Sequence, residues 1–90
     1  MLNKIKQSLR ITHNALDNEI QDLIDAARAD LRISGVLKLD ETDPLIIRAV
    51  TVYSKANFGL DNADSEKYQQ SYDSLKTHLA LSGEYNGSNV

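Results

Sequence analysis

Few residues in this sequence are of types that do chemistry. There are two histidines, His13 and His78, and no cysteine. A zinc site needs several nitrogen, sulfur or carboxylate donors at spacings that let them converge. Neither histidine has a second histidine or an acid at such a spacing. The lack of cysteine removes disulfides, a thiol nucleophile and thiolate metal centres, and it fits a reducing compartment. Serines are plentiful, but none sits in the Gly-x-Ser-x-Gly turn that exposes a nucleophile. No glycine-rich loop is present to cradle a phosphate. Asp22 and Asp25 share a helix face and come nearest to a divalent-ion pair. Neighbouring acids on an exposed helix are ordinarily solvated. The expectation is no catalytic residue, no metal ligand and no cofactor: the chain reads as a non-enzymatic helical interaction module.

The elements carrying these residues follow from punctuation and periodicity. Gly35, Pro44, Gly59 and Gly83 divide the chain into four segments. Leu2, Ile5 and Leu9 give the first a short amphipathic helix. Asn14 and Asp17 form a near variant of the capping box, in which side chains satisfy free amides at a helix start. The second helix then runs to about Ser34. Its stripe is Leu16, Ile20, Leu23, Ile24, Ala27 and Leu31. Acids lie near its start and Arg28 and Arg32 near its end, as the helix dipole favours. Gly35 is a natural left-handed stop.

Val36 to Thr42 reads as a connector. Asp43-Pro44 is the clearest helix start: Asp43 can accept from free amides, and proline at the first helical position needs no donor partner. Leu45, Ile46, Ala49, Val50, Tyr53 and Ala56 then line a face, up to about Asn57-Phe58-Gly59. After a second polar cluster, Asn62 to Ser65, the residues Tyr68, Tyr72, Leu75 and Leu79 repeat at helical steps up to about Leu81. The fold class expected is all-α: a small bundle of three main helices plus a short N-terminal one. Residues 1–81 form the domain. Residues 82–90, rich in Gly, Ser and Asn, lack core residues and read as a flexible tail. Tyr53, Phe58, Tyr68 and Tyr72 are core or interface anchors.

Ninety residues make at most one domain with a thin core, which gives self-association something to add. The start, Met1-Leu2-Asn3-Lys4-Ile5-Lys6, lacks the apolar core of a signal peptide. Leu45-Ile46-Ile47 is too short to span a bilayer. The chain is expected to be soluble and to involve no membrane. Its net charge is −3, unevenly laid out. Lys4, Lys6 and Arg10 precede any acid, and Asp17, Glu19, Asp22, Asp25 and Asp30 follow. A nucleic-acid binder normally shows a longer basic stripe.

The run Leu16-Asp17-Asn18-Glu19-Ile20-Gln21-Asp22-Leu23-Ile24-Asp25-Ala26-Ala27 resembles the long helix of the head–tail connector proteins of tailed bacteriophages. Asp43-Pro44-Leu45-Ile46-Ile47-Arg48-Ala49-Val50, with Tyr53 and Asn57-Phe58-Gly59, resembles that family's next helix and turn. Tyr68, Tyr72, Leu75-Lys76 and His78-Leu79 resemble its closing helix. The likeness covers residues 1 to 83.

The resemblance implies a structural protein of a phage or prophage, made in the bacterial cytoplasm and placed at the head–tail junction of the virion. Family members are also described as head-completion or possible DNA-packaging proteins. They form a ring, expected to be a dodecamer, below the portal protein after packaging. The ring extends the DNA channel without gripping DNA and docks the next tail-proximal protein. On this basis Asp17, Asp22 and Asp25 are candidate lumen-facing acids. Glu84, Tyr85 and Val90 are a candidate portal-docking tail. The alternative is a small helical DNA-binding or regulatory phage protein using Lys4, Lys6 and Arg10.

Overall fold

Three helices pack around a fourth in the computed structural model, which describes residues 1–58 and 63–87. The elements are α1 (Leu2–Leu9), α2 (Asp17–Ile33), α3 (Pro44–Asn57), α4 (Ser65–Leu81) and the single turn α5 (Gly83–Asn86). Among the described residues there is no strand. The all-α expectation holds. α3 touches α1, α2 and α4, and this explains its composition. Ile46, Ala49, Val50 and Val52 are buried, and so are Thr51 and Ser54. A helix enclosed on three sides buries more than one stripe. Leu45, expected on the inner face, is instead 40% exposed beside the first turn.

The ends of the helices show why the chain folds where it does. Asp43 caps α3, accepting a 2.8 Å hydrogen bond from the Leu45 N–H, with Pro44 at the first position. α2 ends in a Schellman turn. The Val36 N–H donates to the Leu31 carbonyl and the Gly35 N–H to that of Arg32, with Gly35 at φ 103°. Val36 is thereby drawn into the core beside Leu31. α1 ends at Arg10, whose left-handed φ of 60° is a conformation glycine adopts without strain.

On α2, Ile20, Ile24, Ala27 and Leu31 are buried, whereas Leu23 is only half-buried. On α4, Tyr72 and Leu79 are buried, and Tyr68 and Leu75 are half-buried. The capping box expected at Asn14 and Asp17 does not form. Leu16 occupies the cap position of α2 without a side-chain bond. The reason is Lys6, which captures both polar groups. Its Nζ donates to Asn14 Oδ1 at 2.8 Å and lies 2.7 Å from Asp17 Oδ1. The two residues therefore tie α1 to α2 instead of closing the end of α2.

The C-terminal segment also departs from expectation. The composition of residues 82–90 predicts a tail without core residues. Residues 83–86 form α5, which packs on α4, and Tyr85 is half-buried against the core. Its backbone carbonyl accepts from the Leu37 and Lys38 N–H groups at 2.8 and 3.1 Å. Extended connector backbone has free amides, and α5 supplies the acceptor. Gly59 and Asn62, from the punctuation above, lie outside the described residues, as does Val90.

Candidate interaction surfaces

The aromatic anchors divide by depth. Tyr72 is fully buried and meets Tyr53 edge-on, with ring centroids 5.1 Å apart and planes at 68°. Its hydroxyl donates to Asp30 Oδ2 at 2.6 Å, and Lys76 Nζ donates to the same oxygen at 3.1 Å. The Lys76 ammonium also stands 5.2 Å from the Tyr72 ring centroid. The tyrosine hydrogen bond is the chief cause that holds the Asp30 carboxyl below its ordinary range; burial opposes it, and the Lys76 bond and charge add to the lowering. Burial first, and the Asp30 carboxylate second, push the Tyr72 phenol well above its ordinary range. This group locks α4 to α2. Tyr53, Phe58 and Tyr72 pack in or against the core. Tyr68 remains at a rim, where the Lys55 ammonium lies 5.5 Å from its ring centroid.

The candidate acids do not form one set. Asp17 turns toward α1 and pairs with Lys6. Asp22 and Asp25 are exposed on the outer side of α2 with Glu19, and Asp25 accepts from the Gln21 amide at 3.0 Å. The early cations divide likewise. Lys6 is 8% exposed and engaged, leaving Lys4 exposed on α1 and Arg10 exposed at its end.

Of the tail candidates, Glu84 is exposed. Tyr85 donates through its hydroxyl to Asp43 Oδ2 at 2.9 Å, and that bond is the chief reason its phenol titrates above the ordinary range. His13 Nδ1 accepts from the Ala15 N–H at 3.3 Å, and His78 is exposed on α4. Among the described residues no group of three histidines and acids is placed to hold a metal ion. Nor is any helix there long and apolar enough to cross a membrane.

Two hollows that sequence reasoning missed adjoin at Arg48 of α3, one against α1 and one against α4, and together they make an open groove that runs from α1 across α3 to α4. Arg48 is exposed and stands where the two meet. Lys4 and Ser8 stand on the α1 side, and Lys67, Ser71 and Ser74 on the α4 side. Each cation sits on a different helix, so no local pattern announces the cluster. Only the spacing of Lys67, Ser71, Ser74 and His78 by four, three and four marks a polar line on α4.

Residues 1–86 match the family described as phage connector protein. The chain belongs to that family. The match takes in all five helices, including the α5 turn. Comparison with curated proteins and comparison with solved structures gave no match. A phage connector has a structural role, associates with capsid components and is part of the virion. Ile33 at the end of α2, Leu37 in the following connector and Leu81 at the end of α4 are 86%, 58% and 79% exposed. Exposed apolar side chains scattered singly are ordinary.

Proposed function

We propose that this connector is the ring-forming adaptor of the head–tail junction of a tailed phage or prophage. It seats on the portal after genome packaging, continues the DNA channel and offers its far side to the next tail-proximal protein. It carries out no catalysis and uses no cofactor. The family match over residues 1–86 carries this reading. The molecule's proportions support it. Its extents are 43 × 24 × 18 Å, so the core is little more than α3 and the side chains around it. Such a core gains from burying further apolar surface between copies. Rings use head-to-tail interfaces that close, with twelve copies expected to match the portal.

DNA passes through such a ring without being held. Each phosphate contact would add affinity and salt-dependent drag. The net charge of −3 and the engagement of Lys6 by Asp17 both oppose a strong grip. The same facts weaken the DNA-binding alternative, which loses one of its three candidate cations. Portal docking through the C-terminal segment would use Glu84 directly. Use of the Tyr85 hydroxyl would require opening its bond to Asp43.

The test is reconstitution with the cognate portal, followed by electron microscopy. The expected result is a ring of added density beneath the portal with its symmetry. A strict monomer that adds no density would overturn the reading. Submicromolar binding to duplex DNA at physiological salt would favour the regulatory alternative instead.

A further inference from the structure

We propose that α2 of one copy seats in the groove that runs from α1 across α3 to α4 of the next. In this seam Glu19, Asp22 and Asp25 face Lys4, Arg48 and Lys67. The inference rests on the ring reading above and names the surfaces that make the ring.

Its starting point is a separation of charge. Ion pairs between distant parts of this chain join Lys6 with Asp17, Arg28 with Glu41, and Lys76 with Asp30. Glu19, Asp22, Asp25, Lys4, Arg48 and Lys67 make no ion pair among the described residues. The three acids occupy the outer side of α2. The three cations border the groove. The two sets are kept apart within one molecule.

The two surfaces also lie on opposite sides of α3. α2 packs on α3 through Ile20, Ile24, Ala27 and Leu31, so its acids point away from it. No α2 residue lines the groove. Arg48 is two residues from each of the buried Ile46 and Val50, about 200° of helix turn away. Acid thus lies on the back and cation on the front. Opposed complementary surfaces join copies head to tail, and a twelve-membered ring asks only that they deviate from opposition by roughly 30°.

The fit in size is also good. The guest α2 and the groove wall α4 are both 17 residues long. Beside the acids, Ala26 and Ala29 are exposed on α2 and let a neighbouring backbone come close. Facing them, Ser71 and Ser74 keep the wall small and able to donate hydrogen bonds. Three cations are few for holding a DNA backbone, but they match one copy's acids. This seam takes Asp22 and Asp25 away from the lumen and leaves Asp17 in its pair with Lys6.

The experiment uses the full chain, with and without portal, followed by sedimentation velocity at low salt and electron microscopy. One variant is Asp22→Lys with Asp25→Lys; the other is Arg48→Glu with Lys67→Glu. All four positions are exposed, and circular dichroism checks that each variant stays helical. Each variant alone should lose roughly tenfold or more in association, because the seam then opposes like charges. An equal mixture should assemble again, since each reversed surface now meets its complement. Unchanged assembly of either variant overturns the seam and leaves the ring reading intact. So does a mixture that fails to recover. So does a cation variant that loses only duplex-DNA binding. A wild-type chain that never assembles, even on the portal, overturns the ring reading and this inference with it.

Discussion

Two tyrosines in this protein donate to two aspartates, and each bond spans 42 residues. Tyr72 reaches Asp30 from within the core, and Tyr85 reaches Asp43 at the edge. The bonds are of the same type, at 2.6 and 2.9 Å. Their surroundings are not. Tyr72 is fully buried and also packs on Tyr53 and Lys76. Tyr85 is half-buried and relies on backbone bonds to Leu37 and Lys38. The lesson is that the work of a hydrogen bond depends on what its loss would expose. A buried phenol without a partner is costly, while one near water replaces its partner readily.

The comparison breaks first under truncation of the rings. Tyr72→Ala should cost about 3–5 kcal/mol, the range for a large aromatic deleted from a core. Tyr85→Ala should cost distinctly less, because part of that ring is already hydrated. Urea denaturation of both measures the difference. Equal losses would mean that the α5 contact is as much a part of the core as the α2–α4 lock.

A second test isolates Asp43, which serves two purposes. It caps α3 through the Leu45 N–H and accepts from Tyr85. Asp43→Asn keeps a capping acceptor, whereas Asp43→Ala removes it, with an expected loss of about 1–2 kcal/mol. If the alanine variant is no less stable than the asparagine variant, the cap contributes nothing and the role of Asp43 is to hold α5.

Titration sharpens the contrast further. Both phenols have folded pKa values above the ordinary value, Tyr72 chiefly through burial and Tyr85 chiefly through its bond to Asp43. A group with a raised folded pKa contributes stability that is complete below the unfolded value of about 10 and is lost as pH rises above it. Tyr72→Phe should therefore flatten much of the alkaline loss, and Tyr85→Phe only a little. At the acid end Asp30 has the opposite sign. Its folded pKa is lowered, so its contribution is complete above the ordinary carboxylate value and falls away below it. Denaturation midpoints from pH 3 to pH 11 test both signs. An alkaline limb that Tyr72→Phe leaves unchanged would remove Tyr72 as its source.

Much of this fold was legible along the chain. Ile20, Ile24, Ala27 and Leu31 repeat with the helix and are buried. Asp43-Pro44 and Gly35 mark ends whose chemistry is local, and both occur where the sequence places them. What was not legible is what joins distant parts. Lys6 forsakes a helix face to meet Asn14 and Asp17, because α1 folds back onto α2. Tyr85 looked like an isolated aromatic in a polar tail until α5 brought it to the Leu37–Lys38 backbone. Lys4, Arg48 and Lys67 are scattered in sequence and adjoin one groove only after packing. Periodicity encodes which side of a helix faces inward; it does not encode which outward sides become neighbours.

The smallest expected effect belongs to Tyr85→Phe, and it separates the two things that Tyr85 does. The substitution deletes the bond to Asp43 and keeps the ring and the backbone. Near water the freed Asp43 oxygen is solvated again, so the loss should be under about 1 kcal/mol. The Leu37 and Lys38 N–H groups donate to the Tyr85 carbonyl and not to the hydroxyl. Their protection from hydrogen exchange should therefore persist in Tyr85→Phe and fall sharply when the chain is cut after Leu81. Loss of protection in both would show that the phenol bond holds α5 in place. Retention in both would show that α5 does not protect the connector, and the edge contact would then count for nothing in the comparison with the core.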